Sequence, residues 1–227
     1  MQLYIHNYAE IISAIICTVC YFYKPSVLNR WFIWFLWITV TIELTGKMTS
    51  NFPIFKMMMY NIFNGVEFMF YFFVFRKICE IMTIQKVLKI FIFAFLIFFL
   101  CNLLFLQGAK VYNSNTHTLG SSFVIAMCLL SLIYSLLSED DNIPMVNYSF
   151  FCVIAGLLFF YSGNIFNSGI INYMMKHQPK DAGRLYKLIN NTLNVVLYGF
   201  FSIAFILELT KKRKEIDEYD FAINQNL

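Results

Sequence analysis

Apolar residues gather in seven long runs, at about 4–23, 30–46, 57–75, 87–106, 119–137, 146–168 and 186–209, joined by short polar connections. Each run is close to the roughly 20 residues that an α-helix needs to cross a bilayer. The pattern therefore predicts an all-α polytopic membrane protein, a bundle of seven transmembrane helices. The third run, MMMYNIFNGVEFMFYFFVF, is interrupted in a regular way. Tyr60, Asn64, Glu67 and Tyr71 recur at steps of four, three and four, which is the repeat of one helix face. A carboxylate near the bilayer centre costs at least about 2.5 kcal/mol on insertion scales, so Glu67 is expected to face other helices or water.

Similar breaks occur elsewhere. In the second run Thr39 and Glu43 face the same way, after Trp31, Trp34 and Trp37 in its first half; Trp31 and Trp34 suit a membrane interface. Pro53 marks the following stretch, TGKMTSNFPIFK, as a poor helix. The fourth run is almost purely Phe, Leu and Ile around Asn102 and should meet lipid over much of its surface. Small residues in the fifth, and Gly156 with Gly163 in the sixth, permit close helix contacts. The sixth run closes with Tyr161, Asn164 and Ser168 on one face, and Lys187, Asn191, Asn194 and Tyr198 share a face of the seventh. His6 and Glu10 begin the first run, where contact with interfacial water and a functional role are equally open readings. That run lacks the basic leader and small-residue cleavage site of a signal peptide and is read as retained.

Composition narrows the class. Hydrophobic residues make up 59% of the 227 and charged residues 13%, against about 25% charged in soluble domains. Seven spans leave no room for a separate soluble domain, so residues 1–210 form the membrane domain and 211–227 a short tail, basic then acidic. The net charge of +4 gives no reason to expect a nucleic-acid partner. Cys17 and Cys20 form a C-x-x-C pair, but on a membrane helix without nearby His or acidic ligands, which favours ordinary packing over metal or redox use. No cofactor or metal is expected. The abundance of Phe, Ile, Asn, Lys and Tyr points to an AT-rich, bacterial genome.

Charge also orients the chain. With the N-terminus outside, the inner segments hold Lys24, Arg30, Arg76, Lys77, Lys86, Lys89 and the four basic residues at 211–214, ten of the 17 Lys and Arg. The positive-inside rule then favours an N-terminus outside and a C-terminus in the cytoplasm, in a bacterial inner membrane. Glu10, Glu43, Asn164, Asn191 and Asn194 would fall in the outer half or near the middle, and Glu67 near the middle. A cavity opening outward needs that distribution. The asparagines of the sixth and seventh runs equally fit simple interhelical hydrogen bonding, at about 0.6 kcal/mol each. Glu67 is different, because a buried carboxylate requires a partner or a proton; Lys187, an Asn or a Tyr could serve as that partner.

Known chemistries find little support. A retinal pigment needs a lysine in the middle of the seventh span, and Lys187 lies at its entrance. No H-E-x-x-H, paired-aspartate motif or nucleophile elbow is present. The segments TIELTGKMTSNFPIFKMMMYNIFNGVEFMFYFFVFRKI, GLLFFYSGNIFNS and LYKLINNTLNVVLYGFFSIAFIL resemble small seven-helix membrane proteins of Bacteroidetes-type bacteria. In that group a T-E-L near the end of span two, a carboxylate in span three and an N-x-x-N/L-x-x-x-Y pattern in span seven recur, often with genes beside sensor kinases or response regulators. The resemblance implies a sensory or accessory role and draws attention to Glu43, Glu67, Asn191, Asn194 and Tyr198. The leading expectation is a non-enzymatic sensor or receptor that takes a small ligand or proton at Glu43, Tyr60, Asn64, Glu67, Tyr71, Asn164, Asn191, Asn194 and Tyr198, and signals to a cytoplasmic partner near Arg76 and the 211–214 tail. A small proton-coupled transporter titrating at Glu67, and an interaction protein whose polar stripe is only structural, are the alternatives.

Overall fold

The structure is a computed structural model describing residues 4–78, 82–137, 148–177 and 179–225; side chains at 77–84, 87, 134–147, 171–173, 175–180 and 211–227 are outside the described set. The acidic connection at 138–141 and the basic side chains at 211–214 therefore lie outside it. The helices are α1 (Ile5–Tyr23), α2 (Val27–Met48), α3 (Pro53–Ile78), α4 (Met82–Cys101), α5 (Ser114–Leu137), α6 (Tyr148–His177) and α7 (Pro179–Gln225), with a π-helical turn, Asn102–Leu106, after α4. The chain is 91% helical, with no strand among the described residues. Seven helices are long and apolar enough to cross a membrane, which makes this a multi-pass membrane protein.

Local chemistry sets the helix ends. Ser26 caps α2 by accepting the Asn29 N–H at 3.1 Å, and the Asn7 side chain takes the Tyr4 N–H at 3.1 Å ahead of α1, each relieving an orphan donor. The break expected across TGKMTSNFPIFK is confined to residues 49–52, between the end of α2 at Met48 and Pro53. Pro53 itself occupies the first turn of α3, where a missing N–H leaves no bond unmade and φ is already helical. The stretch 172–184, expected as a polar connection, is also largely helix, because α6 runs to His177 and α7 starts at Pro179. Polar residues end a membrane span without ending a helix, since the backbone bonds continue equally well into the headgroup region.

The helices form a ring. α1 packs on α2 and α7, α7 on α6, α6 on α5, α5 on α3, and α3 on α2, while α4 lies against α3 and α5. Thus α4 is outside the ring, and its span is the least buried of the seven, at 22%, as its all-round apolar surface requires. α6 approaches α7 through two glycines: a methyl at Gly156 would meet Phe200 Cβ at 2.8 Å, and one at Gly163 would meet the Leu193 side chain.

Alternating direction places the start of α1, the end of α2, the start of α3 and the junctions α4–α5 and α6–α7 at one end. The other end is filled with rings. Phe32 of α2 has Phe70, Phe201 and Phe205 with centroids at 5.2, 5.1 and 5.6 Å, and Phe35 stacks on Phe70 at 4.1 Å. Phe72 meets Phe95 at 5.1 Å and Phe91 meets Phe123 at 3.8 Å, joining α3, α4 and α5. These edge-to-face and stacked pairs make a solid aromatic floor. Cys17 and Cys20 are buried, free thiols within the same core.

Candidate functional site

The polar end gathers carboxylates from three consecutive helices. Glu43 of α2 accepts a hydrogen bond from the Tyr60 hydroxyl of α3 at 3.2 Å. Gly46, one turn beyond Glu43, makes this approach feasible, because a side chain there would collide with the Tyr60 ring. Deeper in the ring, one oxygen of Glu67 accepts from Tyr161 of α6 at 3.0 Å and from Tyr71 at 3.4 Å. Tyr71 comes from Glu67's own helix face, one turn on, as the four-residue step requires. The two tyrosine rings meet edge to face at 6.0 Å. Tyrosine, not Lys187, supplies the partner of Glu67; Lys187 is exposed.

The third carboxylate is Glu10 of α1, only 2% exposed. It lies within electrostatic reach of Glu43 and Glu67 and beside Asn7. Its Oε1 is buried without a hydrogen-bond partner, as are the side-chain amide nitrogens of Asn7 and Asn64. Tyr198 of α7 feels all three carboxylates. Lys47, one turn from Glu43 on α2, acts on Glu43 as well as on Glu10, its ammonium held by the Asn7 side-chain oxygen and lying 5.0 Å from the Tyr4 ring centre. Lys56 likewise acts on Glu43 while sitting 5.8 Å over the Tyr60 ring.

Of the residues singled out from sequence, Glu43, Tyr60, Glu67, Tyr71 and Tyr198 thus come together, and Asn64 shares their α3 face, buried and with its amide free. Asn191 lies against His6 of α1, nearer the rim. Asn194 turns its amide back to the Asn190 carbonyl of its own helix at 2.8 Å, and Asn164 is buried at the same end of α6, where its main-chain oxygen accepts the Ser168 hydroxyl at 2.9 Å. Asn7 escaped the sequence reading, and Glu10 was left open between interfacial water and a functional role, because both lie within two turns of a span's end, where water contact is the default. The spacing Asn7, Glu10, Ala14, Cys17, at three, four and three residues, is a helix face of polar and small residues and could have revealed the buried side of α1.

A second polar assembly braces the rim. Asn61 of α3 donates to the Ala109 and Val111 carbonyls at 3.0 and 2.7 Å and accepts the Asn113 N–H at 3.0 Å. Asn102, in the π-helical turn, donates to Asn113 and to Thr116, the latter at 3.1 Å. These bonds hold the α4–α5 connection against α3. Among the described residues no group of three or more His, Cys, Asp or Glu could hold a metal ion. What the polar end offers chemically is carboxylate, amide and phenol groups that can make charge and hydrogen-bond contacts. Comparison with family models, with curated proteins and with solved structures finds no match to this chain.

Proposed function

We propose that this chain is a non-enzymatic membrane receptor or sensor that admits a small ligand to the polar end of its helix ring, with that end facing outward and the aromatic end toward the cytoplasm. The observation that carries the reading is the convergence of Glu10, Glu43 and Glu67 from three helices onto tyrosines, with buried polar atoms left unpartnered. Burying a polar group without a partner costs about 1–3 kcal/mol by mutational measure, and intramembrane carboxylates mark working sites by default. The ten Lys and Arg of the inner segments support the orientation. The aromatic floor favours a receptor over a carrier, since it interrupts any polar route to the far side. A cytoplasmic partner would then meet the basic inner segments and the projecting end of α7.

The test compares thermal unfolding midpoints of the purified protein and its Glu67→Gln variant across small molecules of every charge, alongside flux in proteoliposomes. A bound ligand raises the midpoint by mass action. The receptor reading expects a shift in the wild type that the variant loses, without flux. Glu67-dependent flux would replace it with the proton-coupled carrier, which Glu67's mid-membrane depth favours. Identical behaviour of both proteins throughout would leave an interaction protein with a structural polar stripe.

A further inference from the structure

Resting on that receptor reading, we infer that the ligand is a small organic cation, an alkylammonium bearing a hydrogen-bonding oxygen, held by Glu10, Glu43 and Glu67 among tyrosine faces.

Charge is the first argument. Three carboxylates share one interior, and Lys47 and Lys56 act on Glu10 and Glu43 from its rim, where their ammonium groups rest on Asn7, Tyr4 and Tyr60. A bound cation favours the ionised form of each carboxylate and is favoured by it in turn, whereas a bound anion is repelled by every carboxylate that ionises. The second argument is the way this chain holds its own ammonium groups. Lys47 rests on an amide oxygen and a tyrosine ring beside Glu10, and Lys56 on a tyrosine ring beside Glu43. Both use the attraction of a cation to a ring face next to a negative charge. Deeper down the same groups recur around Glu67, with Tyr71, Tyr161 and Tyr198, and no lysine acts on Glu67 there among the described residues. An exogenous ammonium would occupy the level that the lysines leave open.

The unpartnered atoms supply the third, independent argument. Glu10 Oε1 is an acceptor lacking a donor, which an N–H or polarised N-methyl group satisfies. The Asn64 amide nitrogen is a donor lacking an acceptor in a residue 8% exposed, whereas the Asn7 amide has Glu10 itself as a neighbour. Asn64 lies on the helix face of Glu67. A ligand with a cationic nitrogen and an oxygen a short spacer away answers both needs; a bare inorganic cation answers only the first.

The full chain in detergent would be titrated with choline and ethanolamine, with 3,3-dimethylbutan-1-ol as the uncharged isostere of choline, and with butyrate. Choline or ethanolamine is expected to raise the unfolding midpoint by about 3 °C or more at saturation, and the isostere and butyrate to leave it unchanged. Glu67→Gln and Glu10→Gln should each weaken the cation about tenfold or more. If Glu67→Gln fails to fold, Glu10→Gln and Glu67→Asp carry the comparison. Equal shifts from choline and its isostere, no shift from either cation, or undiminished cation binding in the variants would each overturn the assignment. A Glu67-dependent shift from an uncharged or anionic compound would overturn it while leaving the receptor standing. Silence from compounds of every charge would remove both.

Discussion

Asn61 reaches from the third turn of α3 into the connection after the π-helical turn and satisfies two carbonyls and one N–H there. It is fully buried, so water cannot replace it. Asn61→Leu is expected to destabilise the protein by about 3 kcal/mol or more, from three main-chain groups left unpaired at about 1–3 kcal/mol each. Reversible unfolding in mixed detergent micelles would measure this, and a loss under about 1 kcal/mol would show that the connection re-pairs elsewhere. By contrast the hydroxyls of Thr39, Thr41 and Ser202 bond back to carbonyls four residues earlier in their own helices, so their removal leaves interhelical contacts intact. Polar residues inside a membrane helix thus divide into those that tie elements together and those that only satisfy themselves. Sequence spacing does not separate the two kinds.

Between elements the decisive dimension is approach distance. The methyl of Gly156→Ala would meet Phe200 Cβ, an atom fixed to the α7 backbone, at 2.8 Å, whereas at Gly199, also in α7, nothing lies within 4 Å. Gly156→Ala should therefore force α6 from α7 and cost about 1–3 kcal/mol, while Gly199→Ala should add about 0.5–1 kcal/mol through reduced backbone freedom. Opposite signs in one unfolding assay are the expected result; a loss at both sites would mean that the α6–α7 seam does not control the difference. At this scale the sequence was informative where periodicity speaks. The seven helices, the lipid-facing α4 and the α3 face of Tyr60, Asn64, Glu67 and Tyr71 all follow from spacing. Helix ends were less legible, because Pro53 reads as a breaker unless its position within the first turn is known. Glu10 was legible as an outer-half polar residue but not as a buried one, since ring closure between α1 and α7 is a long-range fact that local pattern does not encode.

For the whole molecule the main asymmetry runs along the bundle axis, with carboxylates, asparagines and their lysines at one end and a packed aromatic floor at the other. Orientation then decides which compartment the site samples. Fusion of a fluorescent protein after residue 227, in a bacterial host, should fluoresce, and alkaline phosphatase at the same position should be inactive, as a cytoplasmic C-terminus requires. Active phosphatase would turn the carboxylate cluster toward the cytoplasm and replace an external ligand with a cytosolic one. α7 continues past its membrane span from Thr210 to Gln225, about 22 Å of helix at 1.5 Å per residue. On the receptor reading proposed above, a shift of α7 near Tyr198 would be carried along this extension, past the end of the membrane span.

Closure of the ring by α1 against α7 also fixes the order of events during biogenesis. About 155 residues separate the end of α1 from the start of α7, roughly eight to thirty seconds of ribosome time at about 5–20 residues per second. For that interval the Asn7, Glu10 and Ser13 side of the first span is in the bilayer with α2 on one flank and its other wall not yet made. Until the last helix arrives, the nascent chain carries an open carboxylate that the insertion machinery has to shield.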